Sequence, residues 1–186
     1  AVKAGGIVRC IALGPEHTLS RKQLDALPAV VVDRGARGVA WVKVRAEGWA
    51  GPAARHLSDE EKEGLTAALG LVEGSTVMFL AGPRSVVVPA SGDLRVHLGR
   101  LFGLADPKRF EPVWITDMPL FERDDETGAL IAAHHPFTAP LAEDIALLET
   151  DPGATRARAY DLALNGEEVI GGSIRTELTR EEVMRT

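Results

Sequence analysis

The chain has 186 residues, 45% of them apolar and 26% charged, with one cysteine and a formal net charge of −6. That length and balance suit one generous globular domain or two small ones and argue against wholesale disorder. No apolar run approaches the ~20 residues of a membrane-spanning helix, and the opening AVKAGGIVRC lacks the apolar stretch of a secretory signal. The lone Cys10 excludes an internal disulfide and any multi-cysteine metal site, so a reducing, cytoplasmic setting is expected. The sequence starts without Met and ends in a charged run, so a piece of a longer protein is also expected. Charge is uneven: residues 1–104 carry 13 Lys/Arg against 10 Asp/Glu, and residues 105–186 carry 8 against 17. The acidic second half argues against a broad phosphate-binding surface there; it suits either cations or a solvated face.

Taken in chain order, Gly5–Leu13 reads as a strand by its β-branched content. Ser20 with Gln23 forms a capping box that opens a helix to about Arg34, with Leu24, Leu27 and Val31 as its apolar stripe. Pro28 falls inside it and predicts a kink or an early break. Gly38–Arg45 is the next strand, and Trp49–Leu57 a looser extended stretch. Ser58 with Glu61 caps a helix to about Leu69. Ser75–Ala81 is a strand ended by Gly82-Pro83, Val86–Val88 a short apolar stretch, and Ser91 a cap for a helix from Asp93 to about Phe102. Residues 1–104 thus read as an α+β domain, with a boundary between Leu104 and Glu111 and a second domain over residues 105–186.

The second part opens with a predicted strand over Val113–Phe121, in which Pro119 demands an edge or a bulge. Asp124–Gly128 is a turn, Leu130–Thr138 is extended, and Leu141–Leu148 a short helix. Asp151-Pro152-Gly153 is another turn. Asn165-Gly166 between two apolar-rich runs is a strong hairpin signal. Thr179 with Glu182 begins a final helix.

That hairpin carries chemistry in its spacing. A two-residue turn sets Leu164 opposite Glu167 and Ala163 opposite Glu168, so Glu168 and Asp161 converge diagonally on one sheet face. Two carboxylates so placed repel unless a cation or an Arg neutralises them, and oxygen ligands of this type suit Mg²⁺. The competing reading is a solvated sheet edge. Arg175 lies seven residues beyond Glu168, on the opposite face by strict alternation; a bulge at Gly171-Gly172 would bring it to the carboxylate face. Otherwise it is an exposed strand-end arginine. His134-His135 could be ligands or acid–base groups, but neighbours on a strand face opposite ways, so both enter one site only if the chain distorts, as Pro136 allows. No phosphate-binding GxxxxGK[ST] loop, no GxGxxG after a strand and no GxSxG elbow is present.

His134-His135-Pro136-Phe137-Thr138-Ala139-Pro140, the run AYDLALNGEEVIGGSIR over Ala159–Arg175, and WITDMPLFE over Trp114–Glu122 closely resemble successive blocks of bacterial-type aspartyl-tRNA synthetases. LSRKQLDAL, RGARGVAWVKV and LGRLFGL resemble the insertion domain of those enzymes, a type shared with subunits of tRNA-dependent amidotransferases. The resemblance implies an α+β insertion domain at 1–104, followed at 105–186 by antiparallel strands of a class II synthetase catalytic sheet. It implies an aspartate–tRNA ligase, using ATP and Mg²⁺ on L-aspartate and tRNA in the cytoplasm, without membrane association, as a homodimer when whole. His134 and Arg175 resemble the family's aspartate contacts, Arg175 on the side-chain carboxylate. Glu168 resembles the glutamate at ATP and Mg²⁺, with Asp161 as its carboxylate partner. The family's anticodon-binding barrel, dimer-forming motif and two arginine-bearing ATP motifs are not in this sequence, so the chain is expected to be inactive alone. A stand-alone insertion-type module that binds tRNA or protein is the alternative. Ile170 replaces the first of the family's three glycines before the serine, and Pro28 stands where an ordinary residue is usual.

Overall fold

A computed structural model describes residues 2–106, 108–124 and 126–176. The chain divides between Asp106 and Pro107 into two compact units, Ala1–Asp106 and Pro107–Thr186. The helix expected from Thr179 lies outside the described residues.

In the first unit four strands, β1 (Ile7–Leu13), β2 (Ala40–Arg45), β3 (Gly48–Ala50) and β4 (Thr76–Gly82), form an antiparallel sheet in the order β1-β4-β2-β3. Alternation sends side chains to two faces, and each face has its own apolar layer. Trp41 and Met78 join the cluster formed by Leu24, Leu27, Val31, Leu94 and Leu98, while Val42 and Val77 join Leu71, Leu65 and Leu57 on the other side. Burying a leucine or valine fully is worth about 1.5–3 kcal/mol, so these layers supply most of the cohesion.

Both predicted capping boxes form, at Ser20 with Gln23 and at Ser58 with Glu61. The first helix breaks where the proline demands: α1 (Arg21–Ala26) stops, and α2 (Pro28–Val31) restarts with Pro28 at its first turn, where a missing N–H costs nothing. α3 (Asp59–Leu69) ends at Gly70 in the left-handed conformation. The last helix differs from the expectation. α4 (Arg84–Leu101) starts well before Asp93 and absorbs the apolar stretch Val86–Val88, with Pro89 inside it. Val87, Ala90, Leu94 and Leu98 are buried along one helical stripe. Their burial outweighs the ~3 kcal/mol that an interior proline costs.

The second unit holds a three-stranded antiparallel sheet, β5 (Pro112–Ile115), β8 (Ala159–Leu164) and β9 (Glu167–Ser173), in the order β5-β8-β9. A two-stranded ribbon pairs β6 (Phe121–Arg123) with β7 (Leu130–Ala132), and a one-turn helix, α5 (Leu147–Thr150), follows. The single strand expected over Val113–Phe121 is thus two strands. Asp117 sits between them at φ 57°, a left-handed conformation that interrupts a strand and that aspartate tolerates better than most residues. Pro119 makes only an isolated bridge, to Arg156. The helix expected over Leu141–Leu148 is likewise divided, into a 3₁₀ turn at Ala142–Asp144 and α5. Mixed helix and antiparallel sheet in both units make the fold α+β. Among the described residues no helix is long and apolar enough to cross a membrane.

Candidate active site

The β8–β9 hairpin turns on Asn165 (φ 54°) and Gly166 (φ 90°), two positive values that this pair of residues accommodates. Its register is Leu164↔Glu167 and Ala163↔Glu168, as the turn chemistry predicts. The next pair is Leu162↔Ile170, so Val169 is an extra residue on β9. The bulge therefore lies before the glycines and not at Gly171-Gly172, which continue the ladder opposite Asp161 and Tyr160. Neither glycine has a positive φ.

The extra residue decides which groups meet. Glu168, Gly171 and Ser173 pair with Ala163, Asp161 and Ala159, so all six share one face. A Cβ built on Gly171 would lie 2.8 Å from both Asp161 Oδ1 and Glu168 Oε1. The two carboxylates therefore converge over a residue whose missing Cβ leaves them room. Ile170 pairs with Leu162 on the opposite face and is exposed, so its side chain does not enter the carboxylate site.

His134 and His135 reach the same place from another segment. A shallow depression of about 350 Å³ is lined by His134, His135, Ala159, Asp161, Glu168 and Gly171–Ser173. The chain leaves β7 through a bend at Ala133-His134 and turns again at Pro136-Phe137, the distortion that lets adjacent histidines face one site. The two rings have different duties. His135 Nδ1 accepts a hydrogen bond from the Phe137 amide at 3.1 Å, and its ring stacks edge-on against Phe137. His135 thus closes its own turn. His134 Nε2 is buried and has no hydrogen-bond partner among the described residues. A buried polar atom without a partner costs about 1–3 kcal/mol, a penalty that a ligand would remove.

Arg175 is on the carboxylate side by parity, two residues beyond Ser173, and its backbone bridges Thr138. Its side chain is exposed and is not among the groups lining the depression. Of the four residues singled out in sequence, the structure gathers His134, Asp161 and Glu168, and places Arg175 beside them on the adjoining strand end. Among the described residues no cluster of three or more His, Cys, Asp or Glu side chains could hold a metal. Asp161 and Glu168 would supply two oxygen ligands, the number that Mg²⁺ commonly takes from protein when substrate phosphates and water fill its remaining positions.

Sequence reasoning missed one group. Arg156 is the centre of a network in which Nε and Nη2 donate to the two oxygens of buried Asp144 at 2.8 and 3.0 Å. Its Nη1 donates to Asp117 at 3.0 Å and its Nη2 to Glu143 at 3.2 Å. These hydrogen bonds hold the Asp144 carboxyl below the usual carboxylate range and push the Arg156 guanidinium up. The partners lie 12 to 39 residues away in sequence, beyond any periodicity that could reveal them.

Residues 1–91 match the family model of the GAD domain. The chain is 47% identical over 176 residues to an aspartate–tRNA ligase of Geobacillus kaustophilus. It is equally similar to the aspartate–tRNA(Asp/Asn) ligases of Anoxybacillus flavithermus and Bacillus subtilis. Each match covers 94% of this chain, and the chain spans about 30% of the length of these relatives. The resemblance to bacterial aspartyl-tRNA synthetases therefore holds across nearly all of the chain.

Proposed function

We propose that this chain is the part of an aspartate–tRNA ligase that joins an insertion domain (residues 1–104) to returning strands of the class II catalytic sheet (residues 105–186). It contributes contacts to L-aspartate, ATP and Mg²⁺ and is inactive by itself. The observation that carries this reading is the convergence of Asp161 and Glu168 over Gly171 in a depression that His134 also lines, its Nε2 without a hydrogen-bond partner among the described residues. Identity of 47% to ligases of that activity supports it.

In this reading His134 donates or accepts a hydrogen bond at the aspartate, and Arg175 offers its planar fork to the substrate side-chain carboxylate. Asp161 and Glu168 would hold Mg²⁺, which when bound offsets the phosphate charge of ATP. Sheet strands provide the rigid support that such positioning needs. The depression on β8–β9 is shallow, and the rest of the enzyme would close it. The complete ligase would work on tRNA as a cytoplasmic homodimer.

Aspartate-dependent pyrophosphate exchange tests the proposal. The 186-residue chain should give no exchange, the full-length enzyme containing it should, and Glu168→Gln in that enzyme should remove nearly all of it. Exchange by the isolated chain, or a Glu168→Gln enzyme indistinguishable from wild type, would overturn the assignment.

A further inference from the structure

Among the described residues the Arg156 guanidinium hydrogen-bonds to Asp117, Glu143 and Asp144, none of which lines the carboxylate depression, yet the backbone ties it to the segment that brings His134 there. Residues 155–158 run between two neighbours. On one side Leu120 donates its amide to Thr155 O at 2.8 Å, and Ala157 donates to Met118 O at 2.7 Å. On the other, Leu141 donates to Arg156 O at 2.9 Å, and Arg158 donates to Ala139 O at 2.8 Å. Both neighbours lead to the strap of residues 133–141. Ala133 donates to Leu120 O at 3.0 Å, fixing the strap where His134 begins. Ala139 donates to Ile174 O at 2.8 Å, and Thr176 donates to Phe137 O at 2.7 Å, fixing the same strap to the strand end that carries Arg175.

We propose that Arg156 is a positioning residue for the aspartate half of the site, its guanidinium clamping the strap that holds His134 and pairs with Arg175. The inference rests on the functional reading given above. The clamp has one guanidinium and three carboxylates from two loops: Asp117 on one side of residues 155–158, Glu143 and Asp144 on the other. Asp144 is buried and also accepts from the Arg156 amide at 2.9 Å, so side chain and backbone are fixed by the same carboxylate. Loss of the guanidinium would leave a buried carboxylate short of its charged partner and free both loops to shift. Asp161 and Glu168 do not depend on this clamp, because the β8–β9 ladder holds them directly. The arrangement thus separates the support of the aspartate contacts from that of the ATP and Mg²⁺ contacts.

That separation is what a test can read. In the full-length enzyme, Arg156→Met should raise the KM for aspartate at least about tenfold and leave the KM for ATP within about twofold. Arg156→Lys keeps a charge but loses the fork, and should fall between Met and wild type. Asp144→Asn should reproduce the same split and carries the test if Arg156→Met does not fold. Arg175→Ala is the control for the site itself. If Arg175→Ala raises the aspartate KM while the Arg156 and Asp144 variants change both KM values together, or neither, Arg156 serves stability alone and the inference fails. If Arg175→Ala has no effect, the assignment of the aspartate site fails first and this inference with it.

Discussion

Tyr160 lies across Gly172 on the β8–β9 ladder: a Cβ built on Gly172 would come within 2.6 Å of the phenol oxygen and 2.8 Å of Cζ. The ring also meets Trp114 edge to face, with centroids 5.7 Å apart. The glycine thus leaves room for an aromatic cover on the face away from the carboxylates. Tyr160 is exposed and can swing aside. Gly172→Ala should therefore cost about 1 kcal/mol through crowding and a displaced aromatic pair, without unfolding the sheet. A double-mutant cycle with Tyr160→Ala checks this by chemical denaturation. With the ring already gone, the alanine should be nearly neutral; an undiminished cost would place the strain in the backbone instead.

Gly171 is constrained from the other face, by Asp161 and Glu168. Both contacts are the far ends of flexible side chains, so Gly171→Ala should leave stability within about 1 kcal/mol of wild type. It should nevertheless spread the two carboxylates. In the full-length enzyme the expected outcome is a loss of apparent Mg²⁺ affinity in pyrophosphate exchange, with aspartate affinity much less affected. Unchanged Mg²⁺ dependence would mean that these carboxylates do not act together.

How far these contacts were legible in the sequence depends on their range. The hairpin register was readable because Asn165-Gly166 fixes the turn and the period of a strand is two, so Glu168 and Asp161 follow by counting. The capping boxes and the break at Pro28 are equally local. Two features escaped because tertiary burial overrode local preference. Val86–Val88 and Pro89 argue against a helix, yet the stripe Val87, Ala90, Leu94 and Leu98 holds α4 together. Val113–Phe121 reads as one strand, yet Asp117 leaves the extended region, and its carboxylate meets Arg156 from 39 residues away. The position of the bulge also escaped. Glycine suggested Gly171-Gly172, but the exposed Val169 takes the unpaired place.

Acid should weaken the second unit through Asp144. Hydrogen bonds from the Arg156 side chain and amide keep this carboxyl ionised to lower pH than an unfolded aspartate, which titrates near ~4. A carboxyl lowered on folding stabilises the protein above the unfolded value, and the contribution disappears as pH falls through the folded one. Thermal unfolding of the chain should therefore show wild type above Asp144→Asn at neutral pH, with the gap closing below about pH 4. A gap that is constant from pH 7 to the acid limit would show that the Asp144 charge contributes nothing.

The bulge at Val169 supports a paired experiment on strand parity. Glu168 and Arg175 are seven residues apart, an odd number that would put them on opposite faces of a regular strand. One unpaired residue between them restores a common face. Deleting Val169 removes that unpaired residue itself: Glu168 stays opposite Ala163, Ile170 stays opposite Leu162, and Gly171, Ser173 and Arg175 keep their face. Deleting Gly172, on the regular part of the ladder, moves Ser173 and Arg175 to the other side. The two deletions are equal in length and close in sequence, so a general effect of shortening β9 should be similar in both. Loss of a charge-assisted hydrogen bond costs roughly 1.5–3 kcal/mol, about 10- to 150-fold in kcat/KM. In the full-length enzyme, kcat/KM for aspartate should fall by that range or more when Gly172 is deleted, matching Arg175→Ala, and by less than about tenfold when Val169 is deleted. Equal losses from both deletions, with Arg175→Ala mild, would show that the face occupied by Arg175 is irrelevant to aspartate recognition and that the bulge serves only the twist of the hairpin.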